Sequence, residues 1–150
     1  MVRSFRSRRA LRGFTLLEIL VVLSIIAIFT AMIAQNIFGE VDKAKITAAV
    51  ADVQTLDAAL NRYKLDNYVY PTTEQGLAAL VQRPVAPPEP RNYPSSGYIP
   101  RLPLDPWKNA YQYLQPGRTG DFEVFSLGAD GKLGGEGQDA DISNRDPARP

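Results

Sequence analysis

The chain has 150 residues, enough for one modest domain, with 17 basic and 16 acidic residues and a formal net charge of +1. It contains no cysteine and no histidine. Disulfides and thiolate sites are therefore excluded, and the commonest general base and transition-metal ligand are missing. A hydrolytic, zinc-dependent or redox enzyme is hard to build from this composition, so we expect the protein not to be an enzyme.

The positive charge is concentrated at the amino terminus. Five arginines, with no acidic residue among them, precede Gly13, whereas the residues after Gly13 carry a net charge of −4. A basic tip before an apolar segment predicts a cytoplasmic anchor under the positive-inside rule. A nucleic-acid-binding protein would instead spread its basic residues over a folded face, so nucleic acid is not an expected partner.

Residues 14–34 form an apolar block of 21 residues without glycine or proline. As a helix, this block would be about 30 Å long, the thickness of one bilayer core, and we predict that it crosses a membrane. The alternative is an ordinary signal peptide, for which Ala31 to Ala34 offer a weak cleavage site. In that case the apolar block would be discarded.

The helical pattern continues beyond the apolar block. Apolar residues there recur at three- and four-residue spacing, which is typical of an amphipathic helix. The economical interpretation is one helix of roughly fifty residues that ends before Tyr70 and Pro71. Gly39 weakens its interior by about 1 kcal/mol relative to alanine. The residues on the apolar face are Ile46, Val50, Val53, Leu56, Leu60 and Tyr63.

Glu18 places a carboxylate near the start of the apolar block. Such a group costs about 2.5 to 3.5 kcal/mol at the centre of a membrane helix and less near its end. One interpretation is that Glu18 stays hydrated at the membrane surface. The other is that it pairs with a cation, which would come from a neighbouring chain or a newly made amino terminus because the segment contains no lysine or arginine.

Two motifs follow the long helix. Thr72 and Gln75 have the spacing of a capping box, which predicts a short helix over residues 73–82. Eight prolines within residues 84–106 exclude regular helix and predict a long loop. The side chains that we expect these segments to bury are Leu77, Leu80, Val81, Tyr93, Tyr98 and Ile99.

The alternating apolar residues after this loop predict two strands, Trp107–Leu114 and Asp121–Leu127, around a turn at residues 115–117. Two strands alone are marginally stable, so they should pack on the long helix. We therefore predict an α+β fold, with a long amino-terminal helix against a small antiparallel sheet. Residues 144–150 are expected to be loose.

The segment 128–141 combines five glycines with four acidic residues. A flexible, solvated acidic tail is one interpretation. A Ca²⁺ site is the other, since hard carboxylate and carbonyl oxygens suit that ion. The spacing does not match an EF-hand loop, because Lys132 and Gly134 stand where that loop requires oxygen side chains. The acidic residues are Asp130, Glu136, Asp139 and Asp141.

The stretch Gly13-Phe-Thr-Leu-Leu-Glu18, between a short basic leader and the apolar block, resembles the class III leader of type IV pilins and type II secretion pseudopilins. The resemblance implies that a prepilin peptidase cleaves between Gly13 and Phe14 and methylates the new amino terminus of Phe14. It also implies that Glu18 pairs with the amino terminus of a neighbouring subunit during assembly.

Motifs in the globular part are similar to those of the major pseudopilins of type II secretion systems. They include Tyr70-Pro-Thr-Thr-Glu-Gln-Gly-Leu77, Asp105-Pro-Trp107 and Phe125-Ser-Leu-Gly-Ala-Asp-Gly131. The resemblance implies a type IV pilin-like fold. Many relatives carry a proline at the position of Gln35, where the helix can loosen, so helix melting at that position is not predicted here.

The same resemblance implies one bound Ca²⁺. Asp130 would be a carboxylate ligand, and Leu127 and Lys132 would supply backbone oxygens. The second carboxylate would come from Asp139 or Asp141.

The expected function is that of the major structural subunit of a periplasmic pseudopilus, which grows from the inner membrane and drives export of folded proteins. Expected partners are further copies of the chain, minor pseudopilins, the inner-membrane assembly platform, the prepilin peptidase and membrane lipid. A surface type IV pilin and a secreted protein behind a signal peptide are the alternatives. The predicted parts are a removed leader (1–13), a transmembrane and assembly helix (14–38), its amphipathic continuation (39–66) and a periplasmic globular part (67–150) with loops 84–106 and 127–142.

Overall fold

The computed structural model describes residues 14–145, except for the side chains of residues 32–38. The predicted leader therefore lies outside the described residues. The elements within this range are α1 (Leu16–Asn67), a 3-10 turn (Leu77–Leu80), β1 (Gln112–Leu114), β2 (Glu123–Ser126), a second 3-10 turn (Gly137–Asp139) and β3 (Ile142–Ser143).

The chain divides into two compact units, with the boundary between Gly39 and Glu40. The single helix α1 contributes to both units and has 52 residues, which confirms the prediction of one helix of roughly fifty residues. It runs through Gln35 and Gly39 without a break. In the first unit, every described side chain from Phe14 to Ala31 is exposed.

In the second unit, one face of α1 forms the core. Val53, Leu56, Leu60 and Tyr63 are each at most 2% exposed, as the spacing predicted. Full burial of a residue such as Leu60 contributes about 1.5 to 3 kcal/mol. The helix ends where Tyr68 adopts a left-handed conformation (φ 68°) and donates its N–H to the Lys64 carbonyl at 2.7 Å.

The predicted helix over residues 73–82 is wrong in length and type. A turn occupies residues 73–76, and only Leu77–Leu80 form a single 3-10 turn. Gly76 lies between them at φ 59°, a conformation that a right-handed helix cannot contain. Leu77 and Leu80 are buried as expected, whereas Val81 is only half-buried.

The three strands form one antiparallel sheet in the order β1-β2-β3. Strands β1 and β2 are both shorter than predicted. In the case of β1, the chain turns at Lys108 (φ 74°) before the strand begins. The sheet is tied to α1 by Tyr111, whose hydroxyl donates to Asp52 Oδ2 at 2.9 Å. Helix and small antiparallel sheet together confirm the predicted α+β class.

The expectation of loose residues from position 144 onward is wrong for Asn144 and Arg145. Asn144 exchanges backbone and side-chain hydrogen bonds with Val124, both at 3.1 Å, and donates its Nδ2 to Asp57 Oδ1 at 2.7 Å. Arg145 donates its guanidinium N–H groups to the Phe122 carbonyl at 2.8 and 3.0 Å. These contacts hold the chain beyond β3 on the sheet.

The proline-rich loop 84–106 is braced as predicted by Tyr93, Tyr98 and Ile99, which pack against the core. The rings of Tyr93 and Tyr98 meet edge to face at a centroid distance of 5.4 Å. Burial raises the pKa of Tyr98 to about 12, so its hydroxyl stays neutral and donates to the Asn92 carbonyl.

Candidate functional site

Glu18 lies in the first turn of α1 and is exposed. Its backbone N–H donates to Thr15 Oγ1 at 3.2 Å, which makes Thr15 the cap of the helix. Thr15 and Glu18 therefore have the spacing of a capping box, and an acidic residue here also interacts favourably with the helix dipole. Of the two predicted processing residues, Phe14 is exposed and Gly13 lies outside the described residues.

The apolar side chains described in the first unit are all exposed. Leu16, Leu17 and Phe29 are 84%, 73% and 61% exposed. The hydroxyls of Ser24 and Thr30 donate to carbonyls one turn earlier, both at 2.8 Å, so these two polar groups are satisfied within the helix. Such a surface requires lipid or protein to cover it.

Within the described residues, no helix is both long enough and apolar enough to span a bilayer. The transmembrane assignment of residues 14–38 therefore stays a prediction.

The acidic glycine loop 127–142 is closed by its own backbone. Ala129 N–H donates to the Gln138 carbonyl at 2.9 Å, and Asp141 N–H donates to the Gly134 carbonyl at 3.2 Å. Gly128 adopts φ 66°, and a Cβ there would lie 2.7 Å from the Asp139 carbonyl carbon. The two ends of the loop are therefore in close contact, and only glycine fits at position 128.

The predicted metal ligands differ in their surroundings. Asp130 and Lys132 are exposed, and Asp130 Oδ1 accepts the Lys132 N–H at 3.0 Å. Leu127, Asp139 and Asp141 are half-buried. Oδ1 of Asp141 is buried without any hydrogen-bond partner in the protein. A buried carboxylate oxygen without a partner is costly, so this atom is suited to a cation or a water molecule.

Other buried carboxylates near the loop are already occupied. Arg118 Nη2 lies 2.6 Å from Glu123 Oε1, and Arg118 Nε donates to Oε2 at 2.8 Å. These hydrogen bonds lower the pKa of Glu123. Asp105 accepts from Ser126 and from two backbone N–H groups. Among these three carboxylates, Asp141 alone has a buried oxygen that the protein leaves without a partner.

In the described part of the chain, no group of three or more acidic side chains lies close enough to hold a metal ion. An ion at this loop would therefore need main-chain carbonyl oxygens as well as carboxylates. Ca²⁺ accepts such mixed oxygen sets, so the residues present are compatible with that ion.

Three features of this region were missed from the sequence. The strand β3 has two residues, too few for a periodic signal. The hydrogen bonds of Asp105 to residues 107 and 109 form a turn that Asp before proline could have suggested. The isolation of Asp141 Oδ1 depends on tertiary packing and has no local signal.

Comparison with protein families gives two matches. Residues 36–145 match the family described as type II secretion system (T2SS), protein G. Residues 8–34 match the prokaryotic N-terminal methylation motif. The first match covers the second part of α1 and the globular part as far as residue 145, and the second covers the end of the leader and the apolar block.

Individual proteins are similar over almost the whole chain. The type II secretion system core protein G of Pseudomonas aeruginosa is 51% identical over 139 residues, covering 93% of this chain and 98% of that protein. The core protein G of Vibrio cholerae serotype O1 is 55% identical, covering 93% of this chain and 94% of that protein. The core protein G of Escherichia coli K12 is 48% identical, covering 89% of this chain and 90% of that protein.

A solved structure agrees with these matches. The crystal structure of the major pseudopilin from the type 2 secretion system of enterohaemorrhagic Escherichia coli is 50% identical in sequence, with a TM-score of 0.64. The match covers 73% of this chain and 93% of the Escherichia coli chain. The α+β arrangement is therefore the pilin-like fold of that pseudopilin. The chain therefore belongs to the type II secretion system protein G family, and it is a subunit of the pseudopilus of such a system.

Proposed function

We propose that this chain is the major structural subunit of the pseudopilus and that it polymerises from the inner membrane into a helical periplasmic filament. Filament growth would drive export of folded proteins across the outer membrane. The observation that supports the proposal is that one chain combines three features: a protein G domain, a methylation motif and an exposed apolar segment of helix. The role is structural rather than catalytic.

The methylation motif at residues 8–34 supports processing by a prepilin peptidase. The enzyme would cut between Gly13 and Phe14 on the cytoplasmic side and methylate the amino group of Phe14. The basic leader favours this orientation, with one membrane crossing and the globular part in the periplasm. Apolar residues that lipid covers in the membrane would pack against neighbouring helices in the filament.

Glu18 would pair with the amino terminus of Phe14 in a neighbouring subunit. A carboxylate in apolar surroundings gains most from an opposite charge, because the dielectric screening there is weak. The pair would therefore fix the register of each added subunit. Further partners of the growing filament would be the minor pseudopilins and the inner-membrane assembly platform.

A Ca²⁺ ion would bind loop 127–142 through the carboxylate of Asp130 and the backbone oxygens of Leu127 and Lys132. The partnerless oxygen of Asp141 favours this residue over Asp139 as the second carboxylate. The ion would link the two ends of the loop and stabilise the folded state by mass action.

Thermal melting of the full chain in detergent tests the ion. We expect a higher melting temperature with Ca²⁺ than with a chelator, because the ion binds only the folded loop. Asp130→Ala and Asp141→Asn should each remove most of this difference. Glu89→Gln, at an exposed position in the proline-rich loop, is the control and should keep it. Equal melting curves for the unaltered chain with and without Ca²⁺ would contradict the ion site.

Deletion and rescue in the source bacterium test the proposed function. We expect exoproteins to accumulate in the periplasm when the chain is absent and to return to the medium when it is restored from a plasmid. Secretion that continues unchanged, together with a loss of surface fibres or motility, would instead support the alternative of a surface type IV pilin.

A further inference from the structure

Asp105 is a carboxylate buried beside the sheet, only 3% exposed. Its Oδ2 accepts the hydroxyl hydrogen of Ser126 at 2.7 Å, and Ser126 is completely buried. Burial of a carboxyl group is costly unless hydrogen bonds replace its water. The chain supplies them, because Oδ1 accepts the N–H groups of Trp107 at 3.0 Å and Asn109 at 2.7 Å.

The backbone of this turn is closed as well. Asp105 N–H donates to the Asn109 carbonyl at 2.9 Å, and Lys108 N–H donates to the Asp105 carbonyl at 2.8 Å. The turn at residues 105–109 is therefore fixed by both its side chain and its backbone. It provides a rigid support on one side of the loop that follows β2.

Two side chains, Asn109 from this turn and Ser126 from the end of β2, bind the same residue of the loop. Ser126 Oγ accepts the Gly128 N–H at 3.1 Å, and Asn109 Nδ2 donates to the Gly128 carbonyl at 3.1 Å. Both backbone polar groups of Gly128 are thus held. Gly128 lies between Leu127 and Asp130 and packs against the backbone of Asp139 at the other end of the loop.

We infer that Asn109 and Ser126, which bind Gly128, and Asp105, which accepts hydrogen bonds from both of them, are positioning residues that pre-order loop 127–142 for a divalent cation. None of the three would touch the ion. The inference rests on the proposed Ca²⁺ site. The physical basis of the positioning role is conformational entropy. A loop that is ordered before binding loses less of this entropy when the ion binds, so the affinity for Ca²⁺ increases without any added ligand.

Calorimetric titration of the full chain in detergent with Ca²⁺ tests the inference. Ser126→Ala removes the acceptor for the Gly128 N–H, and Asn109→Ala removes the donor to its carbonyl. We expect each variant to bind Ca²⁺ about 10- to 100-fold more weakly, the usual loss when groups that orient metal ligands are removed. Asn109 is only half-buried, so its variant remains decisive if Ser126→Ala fails to fold.

Tyr113→Phe is the matched control. It removes a buried hydroxyl that donates to the Pro71 carbonyl at 2.8 Å, away from the loop. We expect it to lower the melting temperature in chelator while leaving the Ca²⁺ affinity unchanged. Amide hydrogen exchange in chelator gives a second measurement: Gly128 should exchange faster in Ser126→Ala than in the unaltered chain, and at the normal rate in Tyr113→Phe.

The outcomes separate the two proposals. If the unaltered chain does not bind Ca²⁺, the ion site is wrong and the inference fails with it. If the unaltered chain binds Ca²⁺ and both variants bind with the same affinity, the ion site stands and the positioning role is wrong. Equal losses of affinity in Tyr113→Phe and Ser126→Ala would also overturn it, because they would reflect a general loss of stability.

Discussion

Glu18 has two possible roles that the structure makes distinguishable. It stands three residues after Thr15, which caps α1, so Glu18 could simply stabilise the start of the helix. In the proposed assembly role, its negative charge would instead pair with the amino terminus of a neighbouring subunit. The first role needs a hydrogen-bonding side chain, whereas the second needs a charge.

Glu18→Val and Glu18→Gln separate these roles. We expect both variants to insert into the membrane and neither to form filaments, because both lack the charge. Glutamine is as suitable as glutamate in a capping box, so it restores the first role only. Filaments sheared from cells that overproduce the chain provide the measurement, and membrane fractionation provides the control for insertion. Normal filaments from Glu18→Gln would contradict the charge-pairing role.

At the residue scale, the sequence predicts groups whose significance is local. Glu18 is conspicuous because its neighbours are apolar, and Asp130 because it lies in a glycine-rich loop. Asp105 and Asp141 could not be ranked in this way. Asp105 stands out only through its burial and its hydrogen bonds, such as the one from Ser126, 21 positions away. Asp141 is distinguished from Asp139 only by a buried oxygen without a hydrogen-bond partner.

At the scale of elements, the capping box after α1 shows how a local motif can serve a distant loop. Thr72 N–H donates to Gln75 Oε1 at 3.0 Å, and Gln75 N–H donates to Thr72 Oγ1 at 3.2 Å. The amide nitrogen of Gln75 also donates to the carbonyls of Ala86 and Pro88, at 2.7 and 3.2 Å. One side chain therefore closes the turn and anchors the proline-rich loop.

Gln75→Glu and Gln75→Ala test this double role. Glutamate keeps the acceptor for Thr72 but faces the two carbonyls without a donor, so the loop should become more susceptible to proteolysis within residues 84–90. Alanine loses both functions, and we expect it to reduce the free energy of unfolding by about 1 to 3 kcal/mol. Glu74→Ala, at the exposed neighbouring position, should change neither measurement. Equal protease resistance of Gln75→Glu and the unaltered chain would contradict the anchoring role.

The elements also differ in how well local sequence predicts them. Helix α1 combines an uninterrupted apolar block with a following stretch of regular apolar spacing, so its existence follows from local sequence, and the buried face of its second part follows from that spacing. The strands have two to four residues each and depend on partners far along the chain, as in the pairing of Phe125 with Ser143. The capping box predicts a longer helix than the 3-10 turn that follows Gly76, because this motif specifies where a helix starts and not how long it is.

At the scale of the whole molecule, the chain combines two units with different requirements. Residues from Glu40 onward have their own core and bury the apolar face of α1. The described residues before Gly39 expose almost exclusively apolar side chains. The second unit buries apolar residues in its own core, whereas the first exposes an apolar surface that lipid or other subunits would have to cover.

The site of processing therefore decides which interpretation of the molecule is correct. Cleavage between Gly13 and Phe14 would keep the apolar helix and create the amino terminus with which Glu18 is proposed to pair. Cleavage by an ordinary signal peptidase after about residue 34 would remove both, leaving a protein without a membrane anchor.

Mass spectrometry of the chain purified from its own bacterium measures this directly. We expect a mature chain that begins at Phe14 and carries one methyl group on its amino nitrogen. Gly13→Val should block cleavage and leave the leader attached, because the enlarged side chain obstructs the bond to be cut. A mature chain that begins near Gln35 would lack the apolar block and Glu18. This result would contradict the assembly role of Glu18 and the filament, while leaving the fold of residues 40–145 intact.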